Sequence, residues 1–385
     1  MAVAGCAEAR QAPVRTDAGP PESLVTVELT RGIVAAVGET VVFHDAAGEP
    51  LFETTTDAFG VATFAPGAAT VTVTLVMRRP SGRVDISSRE GLVAGDRLRL
   101  ALRPDANAEP GFEVRFPGTV PGAIYYQASS ACAHGNDSSE DASPVDASYC
   151  DAPFQHVIGL ALDATYQPIA FSAARDLPAR VERLTLPAWR TDFPRPPVVT
   201  TTAPGVGELK AGVGEPSRGW VGDYPIEGTA VYSVFAQGVT LGGDGQPVTH
   251  RVETREQTMP SEVTLRAEDL RTPLSNLQVT SRDGRPTFGW DGSPPPRTSH
   301  IWLGVSYGVG EAQALWTFRV VPRADGAVPF PRLPSSAESV APPERNVRWF
   351  AWLNDESWHD GYQWISDTEW PLDGKLVFTS VSGEF

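Results

Sequence analysis

The chain has 385 residues, 41% of them hydrophobic and 20% charged, and its 36 Gly and 35 Pro fall at turn-like intervals rather than in one tract. That length predicts two to four domains with real cores, and the regular Gly/Pro punctuation predicts many short strands rather than disorder. The net charge of −16, with no basic run, excludes a nucleic-acid backbone as partner, and without a stretch of about 18 apolar residues no membrane-spanning helix is predicted.

The chain opens Met1-Ala2-Val3-Ala4-Gly5-Cys6. Val3-Ala4-Gly5-Cys6 resembles the bacterial lipobox, in which the cysteine becomes a lipidated N-terminus after signal cleavage. The residues ahead of Val3 carry neither the charged nor the apolar region of a signal peptide. The resemblance implies lipidation at Cys6, attachment to a membrane through that lipid, and export to the outer membrane, the periplasm or the cell surface. Ala7 to Pro21 is small, polar and Pro-containing, as expected of a tether, so residues 1–21 are read as lipobox remnant and flexible linker.

Residues 22–104 alternate. Leu24 to Leu29, Thr40 to His44, Leu51 to Thr56 and Val61 to Ala65 are strand-like, separated by Gly-containing turns at Asp45 to Pro50 and Asp57 to Gly60. In Thr70 to Met77, Val71, Val73, Leu75 and Met77 take one face and the threonines the other, the period-two pattern of a half-buried strand. Strands at this spacing predict an antiparallel sandwich. The stretches Val42-Phe43-His44-Asp45-Ala46-Ala47-Gly48-Glu49-Pro50 and Thr55-Thr56-Asp57-Ala58-Phe59-Gly60-Val61-Ala62-Thr63-Phe64 resemble hairpins of bacterial Ig-like and carboxypeptidase regulatory-like modules. The resemblance covers about a fifth of the chain. It implies a spacer or adhesion scaffold rather than an activity.

Arg103 to Gly111 breaks the composition and sets a first boundary. Residues 110–283 read as a second β unit, with an alternative split at the Pro-rich stretch 191–204. Cys132 and Cys150 enclose seventeen residues rich in Ser, Asp and Ala. In an oxidising compartment they are expected to form a disulfide closing a polar loop. The spacing is not that of a zinc site, and His134 alone completes no ligand set. Asn136 to Asp141, with Asp146 and Asp151, gathers oxygen ligands but lacks the alternating spacing of a calcium loop, so no metal is expected.

A third, Trp-rich unit is expected over 284–385, with strands around Phe288, His300 to Val305, Ala314 to Val320, Val347 to Trp352 and Leu376 to Phe378. In Val347 to Trp352 the reading places Phe350 and Trp352 together on the inward face. Trp358, Tyr362, Trp364 and Trp370 lie in Gly- and Asp-containing loops and are the candidate glycan contacts.

The fold expected is therefore all-β: tandem antiparallel β-sandwich (Ig-like) domains with Pro/Gly-rich loops and little helix. No nucleophile elbow, zinc-protease motif or P-loop occurs. His44, His134, His156, His250, His300 and His359 lie more than four residues apart. The functional expectation is a non-catalytic exported lipoprotein acting as scaffold, spacer or binding module, without cofactor. Its partners would be the membrane and a cell-envelope glycan or protein. The alternatives are carbohydrate binding through the C-terminal aromatics and a secreted hydrolase with an inter-domain site.

Overall fold

The computed structural model describes residues 23–31, 34–102, 111–130, 134–138, 141–150, 154–166, 168–178, 180–192, 197–214, 232–242, 245–256, 260–282, 285–295, 298–310, 312–324, 326–356 and 375–384. Among them are 27 strands and two short 3-10 turns, Ala267–Asp269 and Ser335–Val340. The protein is all-β. No described helix is long and apolar enough to cross a membrane.

The first strands are β1 (Val25–Arg31), β2 (Val34–Ala35), β3 (Thr40–His44), β4 (Pro50–Thr55), β5 (Val61–Phe64), β6 (Val71–Arg78), β7 (Val84–Leu92) and β8 (Arg97–Leu102). Both expected hairpin turns form. Asp45 Oδ1 accepts the Ala47 and Glu49 N–H groups, and Asp57 Oδ1 accepts those of Phe59 and Val61. Gly60 has φ +74°, and a Cβ there would stand 2.3 Å from the Leu29 carbonyl oxygen. Left-handed backbone and lack of room both demand glycine. The β1 strand pairs with β2, β5 and β8. This sheet packs on β3, β6 and β7 through Val25, Val27, Leu29, Leu98, Val41, Phe43, Val73 and Leu75, all fully buried.

The β6 strand departs from its half-buried expectation. Val71, Val73, Leu75 and Met77 line the first core as expected, but Thr72 and Thr74 on the other face are also buried. That second face is covered by the far end of the chain, and Val76 belongs to the core there. A threonine face looks solvated in sequence, yet hydroxyls can be buried when they find partners.

Next come β9 (Phe112–Arg115), β10 (Tyr125–Ser130), β11 (His134–Ser138), β12 (Val145–Ala147), β13 (Phe154–Leu162), β14 (Pro168–Pro178) and β15 (Arg183–Thr185). They make two sheets, β11-β10-β13-β14 and β12-β9-β15, around Phe112, Val114, Tyr126, Ala128 and Val157. The stretch expected to be a polar loop between Cys132 and Cys150 thus holds two strands. Ser138 and Asp137 pair with Tyr126 and Gln127, and Val145 to Ala147 pair with Val114 to Phe112. The alternation that buries Val145 and Ala147 is only three residues long, too short to stand out among Ser and Asp.

Then follow β16 (Val198–Thr201), β17 (Gly207–Gly214), β18 (Tyr232–Leu241), β19 (Pro247–Glu256) and β20 (Glu262–Leu265). Their core of Ala236, Val252 and Leu265, with Val377, is separate from that of residues 112–186. The last strands are β21 (Ser275–Arg282), β22 (Arg285–Asp291), β23 (His300–Val309), β24 (Ala312–Val320), β25 (Gly326–Pro329), β26 (Arg348–Glu356) and β27 (Lys375–Glu384). The β21 and β22 strands pair antiparallel, with Arg282 opposite Arg285. Leu274 already packs in the last core.

One eleven-stranded sheet runs β17-β18-β19-β27-β26-β23-β24-β7-β6-β3-β4. It draws strands from the first, third and last of these groups, so separate cores share one hydrogen-bonded sheet. Every junction in it is antiparallel except β24–β7.

Candidate functional site

The β24–β7 seam joins residues more than two hundred positions apart, with parallel register from Ala314↔Val84 to Arg319↔Arg89. On its core side Trp316 is fully buried, and its indole N–H donates to Ser88 Oγ at 2.9 Å. Ser88 Oγ lies 2.9 Å from Thr74 Oγ1. This chain satisfies the polar atoms of three strands in the apolar interior, which is why the threonine face of β6 can be covered. Phe330 meets Trp316 edge-on at 5.2 Å and Phe318 at 5.3 Å.

Two strands beyond the seam, the β3–β4 turn docks against the β22 start and the segment after β25. Arg285 donates to the Phe330 carbonyl at 2.6 Å, the Ala47 carbonyl at 2.5 Å and Glu49 Oε1 at 3.0 Å. Arg332 reaches Glu49 Oε2 at 2.9 Å, and its backbone N–H donates to the Gly48 carbonyl at 2.8 Å. Ser336 donates to Glu53. On the seam itself, Glu90 accepts from the Val321 N–H at 2.6 Å and pairs with Arg323. Several of these ion pairs are half exposed and contribute little energy singly; together they hold the β3–β4 turn against β22 and the segment after β25.

His44, at the root of that turn, is fully buried. Burial pushes its pKa down to about 4, and the Arg285 guanidinium acts in the same direction. His250, between Thr240 Oγ1 at 2.8 Å and Thr379 Oγ1 at 3.0 Å, is likewise pushed down to about 4 by burial. The Tyr307 hydroxyl donates to the Val340 carbonyl, and burial raises its pKa. All three sit inside packed interiors, where His250 and Tyr307 tie neighbouring elements together through these bonds.

Ser299, His300 and Asn354 come closest to a nucleophile–base arrangement. His300 Nδ1 is 3.2 Å from Ser299 Oγ, and its Nε2 is 3.0 Å from Asn354 Nδ2. Ser299 Oγ also donates to the Asn354 carbonyl at 3.0 Å. His300 and Asn354 are register partners on β23 and β26 and are both buried. This geometry ties two strand ends together.

Beside the seam, a cleft of about 300 Å³ is lined by Val37 to Thr40, Val76, Arg78 and Ser336. Its buried Glu39 is paired with Arg31. Among the described residues no three His, Cys, Asp or Glu side chains converge on a metal position.

The C-terminal aromatics need a correction. Ala351 and Leu353 face the last core, with Trp349 packed beside them, so Phe350 and Trp352 point to the opposite sheet face. There Trp352 meets Trp302 edge-on at 4.8 Å and Phe350 at 5.1 Å, and Arg319 stacks over Trp302 at 4.7 Å. Gly304, opposite Phe350, leaves room for the ring, since a Cβ there would lie 2.1 Å from it. The face of Phe350 and Trp352 also carries the exposed Arg348, a polar mark that the two large rings outweighed in the reading of the pattern. The row Arg319–Trp302–Trp352 crosses three strands and reinforces the sheet next to the seam.

Cys6, Cys132, Trp358, Tyr362, Trp364 and Trp370 lie outside the described residues. Cys150 is buried, with its Sγ 3.6 Å from Ser130 Oγ at the end of β10. The seam residues Ser88 and Trp316 and the docking residues Glu49, Arg285 and Arg332 were missed by sequence reasoning. Only Glu49 sits in a recognisable motif, and no local pattern links groups separated by 236 residues. No protein-family model matches the chain, and no curated protein matches it.

Proposed function

We propose that this protein is an exported, lipid-anchored scaffold or spacer of the bacterial cell envelope and is not an enzyme. The single observation that carries this reading is the unbroken sheet. Eleven strands from three parts of the chain share one ladder, and the Arg285–Glu49–Arg332 cluster ties its β3–β4 turn to the separate β21-β22-β25 sheet, so several sandwich-type units behave as one stiff body. A stiff body behind a polar tether suits a protein that holds a surface at a set distance from a membrane. The Ig-like character implied by the first two hairpins belongs to this reading. So does a Cys132–Cys150 disulfide, supported by Cys150 lying beside the strand end that leads, two residues later, to Cys132.

The test is fractionation of the protein expressed in a bacterium with a full signal sequence ahead of Val3. The wild type should enter the membrane fraction with acyl mass on Cys6, and Cys6→Ser should become soluble. Two further thiols should become alkylatable only after reduction. If wild type and Cys6→Ser fractionate alike, the anchor is refuted; if both other cysteines react without reductant, so is the disulfide.

A further inference from the structure

The hairpin between β13 and β14 closes in an unusual way. Asp163 Oδ1 accepts the Thr165 N–H at 2.8 Å, and the Asp163 carbonyl accepts the Tyr166 N–H at 3.0 Å. The chain then leaves through Tyr166 at φ +60°. A left-handed residue is normal after such a turn, but it is normally Gly or Asn; a bulky L residue there is strained. Tyr166 is the only aromatic among the described non-glycine residues with positive φ. It is also 59% exposed, against 49% for Phe59 and 43% for Phe52.

The ring does not hang free. It stacks on Tyr125 with centroids 4.6 Å apart and planes only 9° from parallel. Tyr125 in turn packs against a patch of Ile158, Leu160, Leu162 and Phe171, on β13 and β14. Stacking offsets part of the backbone strain, yet a glycine would avoid the strain altogether and would remove apolar surface from water contact. Selection for stability alone does not lead to an exposed tyrosine at this position.

We propose that the Tyr166 ring, backed by Tyr125, is a stacking platform for a neutral pyranose. A β-linked gluco-configured ring carries its hydroxyls equatorially and presents axial C–H bonds to the π face. The platform removes that face from water, and Asp163, whose Oδ1 accepts both the N–H and the hydroxyl of Thr165, lies in the same turn. The net charge of −16 and the adjacent Asp163 disfavour phosphorylated or acidic ligands that would otherwise stack equally well.

The experiment is calorimetric titration of the full chain with cellohexaose and with chitohexaose, using wild type, Tyr166→Gly and Tyr166→Trp. At least one hexasaccharide should bind wild type saturably. Tyr166→Trp should retain binding, and Tyr166→Gly should weaken it by roughly tenfold or more. The same Tyr166→Gly protein should melt no lower than wild type, because glycine relieves the left-handed backbone. Should Tyr166→Gly fail to fold, Tyr166→Asn replaces it, since Asn also tolerates this conformation. The proposal is overturned if neither sugar saturates wild type at millimolar concentration, or if removing the ring leaves affinity unchanged.

Discussion

His44 and His250 occupy interiors that accept a neutral imidazole and resist a charged one. Both are held near pKa 4 in the folded protein, against about 6.5 in an unfolded chain. As pH falls below about 6.5 the unfolded chain takes up protons that the folded protein refuses until about pH 4. The stability these groups permit is therefore fully present above pH 6.5 and declines between 6.5 and 4, by about 3 kcal/mol for each histidine at the acid end. Comparing urea midpoints at about pH 7.5 and about pH 4.5 for wild type and His250→Gln isolates one contribution from the titrating carboxylates. Glutamine can still bond to Thr240 or Thr379, and it does not titrate. The stability gap between the two proteins should shrink or reverse at the lower pH; a gap independent of pH would show that His250 is not held neutral.

At the level of strands, β26 separates what periodicity says from what packing decides. Its two faces carry Trp349, Ala351 and Leu353 on one side and Phe350 and Trp352 on the other. Trp316 on β24 is fully buried, whereas Trp352 is half exposed. Trp316→Ala should cost about 3–5 kcal/mol as a large-to-small change, and it also strips Ser88 of a donor. Trp352→Ala should cost roughly 1–2 kcal/mol, the loss of one cross-strand ladder member. Urea denaturation of both variants checks the order, and equal losses would mean that the outer face is as enclosed as the core. The strands themselves and their Asp–Gly turns were legible because they rest on local rules: alternation, Asx hydrogen bonding and positive φ at Gly60. The inward side of β26 was not, because it depends on which neighbour arrives from another part of the chain. The same applies to Thr74, whose buried hydroxyl is intelligible only once Ser88 and Trp316 are beside it. What the β13–β14 turn demands of the Tyr166 backbone emerged only with the geometry.

For the molecule as a whole, the seam makes a strong claim about cooperativity. The first unit has its own core around Leu29, Phe43 and Leu75, so it has the material to unfold alone. Yet β6 and β7 form one side of the last core through Val76, Val84 and Ile86. Unfolding the first unit would expose Trp316 and orphan its indole N–H, a penalty of a few kcal/mol beyond the unit's own stability. The two should therefore melt together. Trp290, Trp302, Trp316, Trp349 and Trp352 all lie in the last unit, and residues 22–104 contain no tryptophan. Leu29→Ala, deep in the Trp-free unit and far along the chain from every tryptophan, should cost about 3 kcal/mol locally. If the sheet couples the units, the tryptophan-monitored unfolding midpoint must fall with that substitution, in parallel with the far-UV signal. Two separate transitions, the earlier carrying only part of the far-UV signal and only the Trp316 part of the tryptophan signal, would mean that the first unit opens independently across β24–β7, and the stiffness on which the scaffold reading depends would go with it.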